Sequence, residues 1–317
     1  MKLLITGDWH LRLQKPRLRK DESYLQTQID KATQILSIAD KNNCNFILQP
    51  GDFFDGHDTP FTVLTKFTRL FLKSGKIILT IQGQHDQRHH TRQIDSTPLG
   101  VIDASNTIHL LKSNKPFVGK GIDFYSAGWR EEIPEIKHSD KFNVLLTHRM
   151  VIKSDKLWNS QKSYDIARGL LKHNDFDLIV SGDNHSTFTE KGNDKLLVNC
   201  GSLLRTRIDQ EKHKPCVYVF DTETKDLEQI YLDIVPANKI FDLDVKEREK
   251  SRNEKLESFI NGLDEADIES MDLNFSEILY SFIEKAGCDS SIKTLADEFL
   301  QKYHSRGRNV LSGGIAD

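Results

Sequence analysis

Phe46-Ile47-Leu48-Gln49-Pro50-Gly51-Asp52-Phe53-Phe54-Asp55 is an apolar run that stops at a glycine and hands over to two carboxylates. It reads as a buried parallel strand ending at a site, because ligands of open α/β sheets gather beyond the carboxyl ends of strands. The pattern recurs four times. Residues 2–6 run into Gly7-Asp8-Trp9-His10, residues 77–82 into Gly83-Gln84-His85-Asp86, residues 144–147 into His148, and residues 178–181 into Gly182-Asp183-Asn184-His185. One Asp-x-His or Gly-Asp is an ordinary turn, and a lone buried histidine is more often packing than a ligand. Five strand ends carrying Asp, His or amide side chains on one edge of the expected sheet are not explained by turns.

Helices fill the intervals. Ile29, Ala32, Ile35, Leu36 and Ala39 recur at helical spacing, and Pro60 opens a second helix with Val63, Leu64, Phe67, Leu70 and Phe71 as its buried stripe and Gly75 at its end. The order to this point is βαβαβ. Shorter strands follow at residues 107–111, 116–118 and 122–128, with Gly119-Lys120-Gly121 as a hairpin turn, and predict antiparallel pairing added to a parallel sheet. Residues 148–177, with Trp158, Tyr164 and Arg168, form a connection long enough to suggest a role over the site. Strands at 195–200, 216–221 and 227–234 complete the second half. Beyond Pro236, helical runs are expected at 245–261, 275–285 and 295–303, where Leu295, Phe299, Leu300 and Tyr303 share one face, and then a tail.

With 317 residues, 37% hydrophobic and 29% charged, the chain suits one or two globular domains. It carries no apolar run of membrane-spanning length and no secretory pattern, so a cytoplasmic, non-membrane location is expected. Cys44, Cys200, Cys216 and Cys288 are scattered without paired spacing and read as free thiols. The net charge of −3 divides unevenly, with −6 over residues 235–317 and +3 over residues 1–234. A modestly basic catalytic part is compatible with nucleic acid. Arg12, Lys15, Arg17, Arg19 and Lys20 crowd the loop after His10, and Arg88 and Arg205 stand near other strand ends, so these arginines and lysines are candidate phosphate contacts as well as ordinary surface charge.

Histidine, aspartate and amide oxygens suit divalent first-row metals, and a bridging carboxylate lets such a cluster hold two ions. Phosphate ester hydrolysis is the natural use. The ordered motifs Asp8-x-His10, Gly51-Asp52-x-x-Asp55, Gly83-Gln84-His85-Asp86, His148 and Gly182-Asp183-x-His185 resemble those of the calcineurin-like metallophosphoesterases. Asp8-Trp9-His10-Leu11 and Gly51-Asp52-Phe53-Phe54-Asp55 with Pro60 downstream are most similar to SbcD-like DNA exonucleases of double-strand-break repair.

That resemblance implies an α/β fold of the metallophosphoesterase β-sandwich type, with mixed parallel and antiparallel sheets flanked by helices and a small helical C-terminal region. The resemblance covers a catalytic domain at 1–235, and the residues beyond read as a small capping region at 236–290 and a C-terminal helix and tail at 291–317 whose apolar face either packs on its own domain or docks a partner. It implies two divalent ions, manganese first and magnesium as the alternative. Asp8, His10, Asp52 and His185 would hold one, and Asp52 would bridge to a second held also by Gln84, His148 and Asp183. His85 would face the scissile phosphate as a charge stabiliser or acid, with Asp86 orienting its imidazole. Two departures fall on the second site, where the family usually has Asn at Gln84 and His at Asp183. The implied function is a manganese-dependent DNA nuclease of recombination, repair or replication, partnered by an SMC-like coiled-coil ATPase, with a homodimer open. The alternatives are a small-molecule phosphodiesterase or phosphoprotein phosphatase, or a catalytically silent scaffold.

Overall fold

The computed structural model describes residues 1–242 apart from 90, 114, 139 and 155–162, and beyond them residues 280, 283–284 and 292–297. Trp158, most of the helical runs expected after residue 243, Phe299, Leu300, Tyr303 and the tail lie outside the described residues. The chain divides into two units, Met1–Leu243 and Asp244–Asp317. In the second, Ile283 is buried and the Tyr280 hydroxyl donates to Asp297.

The first unit begins β1 (Lys2–Ile5), α1 (Tyr24–Lys41), β2 (Phe46–Gln49), α2 (Phe61–Ser74), β3 (Ile77–Thr80) and α3 (Pro98–Ala104). It continues through β4 (His109–Leu110), β5 (Phe117–Val118), β6 (Ile122–Ala127), β7 (Phe142–Thr147), β8 (Val151–Ile152), β9 (Asp165–Ile166) and α4 (Ala167–His173). Strands β10 (Leu178–Ser181), β11 (Phe188–Gly192), β12 (Lys195–Asn199), β13 (Cys216–Asp221) and β14 (Leu227–Tyr231) precede the short α5 (Ala237–Ile240).

Two six-stranded sheets result, in the orders β14-β13-β1-β2-β3-β4 and β11-β12-β10-β7-β6-β5. Each is parallel at its centre and antiparallel towards an edge. Side chains alternate along a strand, so each central strand serves two cores. Leu3, Ile5, Leu48 and Leu79 of the first sheet meet Phe124, Val144, Leu146 and Val180 of the second. Leu4, Ile47 and Ile78 turn the other way onto the helical stripes of Ile35, Leu36, Val63 and Phe67. Tyr125, Leu145 and Ile179 cover Leu170 and Leu171 of α4. The fold is therefore an α/β sandwich of two mixed sheets with helices outside.

Helix ends follow local chemistry. Ser23 caps α1 by accepting from the Gln26 amide, and Gly75 ends α2 with a left-handed φ of 63°. Two expectations are corrected. The five strand ends come from two sheets, with β1, β2 and β3 in one and β7 and β10 in the other, because continuous apolar runs do not say which sheet a buried strand joins. The expected antiparallel addition holds only for the β5–β6 hairpin; β4 and β6 extend the parallel centres.

Candidate metal centre

The loops leaving β1 and β2 run side by side. The amides of Trp9 and His10 both donate to the Asp52 carbonyl, at 3.1 and 2.9 Å, and that of Leu11 to Phe53 at 3.0 Å. Trp9 stacks on Phe53 with ring centroids 5.1 Å apart, which anchors both loops in the helical core. Beneath them the fully buried Gln49 accepts from the Gly51 amide at 3.1 Å and from the Thr80 hydroxyl, tying β2 to β3. His10, Asp52 and Asp183 hold left-handed φ of 47°, 49° and 68°. Each such non-glycine residue costs about 1–3 kcal/mol; at His10 and Asp52 the strain goes with side chains that converge on one place, while Asp183 stands apart from them.

Asp8, His10 and His185 form one set of converging ligand atoms, Asp8, Asp52 and His148 a second, and His10, Asp52 and His85 a third, each set lying within 4.8 Å. Asp52 is the hub. Its Oδ2 lies 3.2 Å from Nε2 of His148, 3.8 Å from Nε2 of His10 and 4.0 Å from Nε2 of His85. The Nε2 atoms of His10 and His185 are 3.1 Å apart. His148 donates from Nδ1 to the Pro50 carbonyl at 2.7 Å, which leaves the Nε2 lone pair available as a ligand. The Gln210 amide lies 3.1 Å from Nδ1 of His185 and turns its Nε2 towards Asp8.

This donor set fits divalent cations. Asp8 Oδ1 and His148 Nε2 are buried with no hydrogen bond among the described residues, and such atoms are rarely left unpaired without a role. The charge balance agrees. Burial works against ionised Asp52, yet His148, His10 and His85 hold its carboxyl below the usual range. Burial also opposes charging of His10, but Asp55, Asp52 and Asp8 carry its pKa up to about 9, and Asp52 and Asp8 raise His148 in the same way. Burial raises Asp183, with Asp8 and Asp52 adding to it against a pull from His148. Closely packed carboxylates are drawing in positive charge, which bound cations supply. Asp183 donates its amide to Asp8 Oδ2 at 2.9 Å but stands outside all three ligand sets, on a cavity wall with Gln84.

His85 sits at the rim, its side chain 41% exposed, and Nδ1 lies 3.0 Å from the Asp55 carbonyl oxygen. Asp86 was expected to orient this ring and does not. Its carboxylate is buried and accepts from the amides of Phe53 (3.2 Å), Phe54 (2.9 Å) and Gly83 (3.0 Å), and burial with the nearby Asp52 pushes its pKa up to about 6. Backbone donors from the loop after β2 and from Gly83 outcompete a neighbour whose ring points to the rim. Asp55, read only as part of a motif, takes up the supporting role: its carbonyl faces His85, and its carboxylate pairs with Arg12 at 2.8 Å and lies 3.5 Å from His10 Nδ1.

Two candidate phosphate contacts are also corrected. Arg19 is buried, with Nε and Nη2 on Asp21 at 2.7 and 2.8 Å and Nη1 on the Arg205 carbonyl at 2.9 Å. Arg205 is buried too, bonded to the carbonyls of Glu211 and Val235. Lys15 donates to the Asp21 carbonyl at 3.0 Å, while Arg17 and Arg88 are exposed. The cations that reach the site are others. An open cavity of about 1150 Å³ extends from Gln84, His85, Asp183 and His185 past Arg207, Lys212 and Lys214 to Tyr231. Nothing in the local sequence separates Arg207 from Arg205; the turn before residues 208–210 decides which one faces out. Arg168, in the long connection, is exposed and pairs with Glu190 at 3.1 Å.

Gly83 is where the third strand end touches the hub. A Cβ there would lie 2.1 Å from Asp52 Oδ1 and 2.2 Å from its amide nitrogen. Gly83→Ala is expected to cost about 1–3 kcal/mol by overpacking and to weaken cation binding, read by thermal melting and calorimetric titration. Unchanged metal affinity would separate this turn from the centre.

The calcineurin-like phosphoesterase family model matches residues 1–187, more than half of the chain. This chain is a calcineurin-like phosphoesterase. Among curated proteins the phosphoesterase is similar to the double-strand break repair protein MRE11 of Encephalitozoon cuniculi, at 24% identity over 83% of this chain. It spans about half, 53%, of that relative's length. Solved structures similar to this phosphoesterase include an archaeal phosphodiesterase, with a TM-score of 0.40 and 15% identity over 73% of this chain and all of the other. Another is TT1561 of Thermus thermophilus, with a TM-score of 0.44 and 13% identity over 73% and 98% of the two chains. Family membership makes it a hydrolase of phosphoesters whose Asp/His cluster is a candidate divalent-metal site. No helix among the described residues is long and apolar enough to cross a membrane.

Proposed function

We propose that this chain is a manganese-dependent nuclease that hydrolyses DNA phosphodiesters in repair, recombination or replication, as the nuclease subunit beside an SMC-like ATPase. The observation that carries this reading is the junction of the Asp52 hub with the long cationic cavity. At about 1150 Å³ the cavity exceeds the roughly 300–1,000 Å³ usual for small ligands, and Arg207, Lys212 and Lys214 line it, more cations than a single phosphate calls for. The relative named for double-strand break repair agrees in substrate class. A catalytic domain over residues 1–235, a cap at 236–290 and a docking segment at 291–317 complete the proposal.

In this reading Asp8, His10, Asp52 and His185 hold one ion, and Asp52, Gln84, His148 and Asp183 the other. Bound cations would polarise the phosphodiester, make water nucleophilic at neutral pH and offset charge on the leaving oxygen. Asp52, placed among both groups of ligands, would be shared between the two ions, and Pro50 and Gln210 hold the rings of His148 and His185 in orientation. His85, braced from Nδ1 by Asp55, holds in its protonated form a proton at Nε2 that it can give to the leaving oxygen. The test is manganese-dependent degradation of end-labelled linear duplex, with and without the candidate ATPase, against hydrolysis of a chromogenic phosphodiester. Turnover of the small ester alone would favour a small-molecule phosphodiesterase, and turnover of neither a silent scaffold.

The two ions should differ in affinity. Gln84 is one methylene longer than the usual Asn and must fold back to reach an ion, and Asp183 lies outside the converging sets. Manganese titration is expected to give two steps, the weaker lost in Asp183→Ala while the stronger remains. A single step of equal sites would contradict the assignment, as would loss of the stronger step.

A further inference from the structure

A second cavity, of about 160 Å³, lies where residues 16–21, α1, Leu204-Arg205 and residues 233–240 meet, and it shares no lining residue with the large one. Arg19, Lys20, Lys31, Arg205 and Lys239 line it against only two carboxylates, Asp21 and Asp233. Both carboxylates are engaged. Asp21 takes two bonds from Arg19 and one from the Thr27 hydroxyl at 2.8 Å, and the Asp233 carboxylate accepts from Gln34 at 2.6 Å. Lys31 donates to the Asp233 backbone carbonyl, and the recorded bonds of Arg205 also go to carbonyls. Arg19, Lys31 and Arg205 are only 4%, 8% and 5% exposed, so three buried cations share one ion-paired carboxylate. Burial, opposed by Asp233 and reinforced by Arg205 and Arg19, holds the Lys31 ammonium below its ordinary range, and burial with Arg19 lowers Arg205. At the rim, Lys20 and Lys239 are exposed, and their ammonium groups have no partner among the described residues.

We propose that this cavity binds a phosphate group. The exposed ammonium groups of Lys20 and Lys239 would meet the phosphate directly, while Arg19 and Arg205, whose forks are held by Asp21 and main-chain carbonyls, add positive potential behind them. The volume equals roughly five waters at about 30 Å³ each, room for one phosphoryl group with its hydration and too little for a nucleoside. Asp21 on the wall would repel an anion, but its charge is balanced by the bidentate pair with Arg19. The phosphate could be inorganic or the terminal group of an oligonucleotide end lying outside the cavity.

The test is calorimetric titration of inorganic phosphate into the full chain with a chelator present, so that the Asp52 centre cannot take the anion through a bound metal. Saturable one-to-one binding is expected, weakened at least about tenfold in the Lys20→Ala, Lys239→Ala double variant, the scale of losing charge-assisted bonds. Both positions are exposed, so the variant should melt with the wild type. A dinucleotide with a 5′-phosphate is compared with its 5′-hydroxyl form. Preference for the first supports a terminal nucleotide phosphate, and equal weakness of both beside good phosphate binding supports the free ion. Absence of saturable binding, or the same affinity in the double variant, would overturn the proposal.

Discussion

Replacing His85 with alanine is expected to reduce phosphodiester hydrolysis about 10²–10⁴-fold, the usual contribution of a positioned acid or base. Cation affinity and melting temperature should stay close to wild type. The geometry separates this ring from the other histidines: it is half exposed at the cavity rim, with its Nε2 4.0 Å from Asp52 and its Nδ1 on the Asp55 carbonyl. His148, by contrast, is fully buried with its Nε2 3.2 Å from Asp52 Oδ2. Single-turnover rates at saturating manganese, set beside a manganese titration, check the assignment. Since His85 also falls in a converging set with His10 and Asp52, a variant that loses a metal step would make it a ligand and not the proton donor.

Asp86→Ala should be the most damaging change to stability in the region. It removes the acceptor of three buried amides, those of Phe53, Phe54 and Gly83. A stranded buried donor costs about 1–3 kcal/mol, so stranding three donors at once approaches the roughly 5–15 kcal/mol that holds a whole domain folded. Chemical denaturation measures it directly. Asp86→Asn keeps one carboxamide oxygen and should recover part of the loss. If Asp86→Ala melts normally but is catalytically dead, the residue acts on the chemistry and not on the loops.

The parts legible in the sequence were those that repeat. Each ligand-bearing strand end is a buried run stopped by a small or polar residue, and Asp8, His10, Asp52, His148 and His185 all reach the centre from such ends. Helix α2 was equally plain, since Pro60 and Gly75 mark both its ends. What stayed hidden depends on partners far along the chain. Arg19 and Arg205 have the composition of a phosphate-binding loop, yet Asp21 and main-chain carbonyls claim them. Asp86 sits beside His85 in sequence while its oxygens answer amides on a different loop. Gln210 is one glutamine among many until the turn at residues 208–210 sets it against His185. The division of strands between sheets was invisible for a different reason: with both faces buried, the polar alternation that would assign a strand to a sheet is absent.

The place of β1 in its sheet has a consequence for folding. Its one neighbour, β2, lies close by, but its other neighbour is β13, where Lys2 stands opposite Asp221. The Asp8 amide is likewise held by the Gly201 carbonyl. Until residues 201–221 have joined the sheet, the Asp8 side of the loop after β1 lacks two of the contacts that hold it. Pairings of such long range form late, so the candidate centre takes its final shape only near the end of folding.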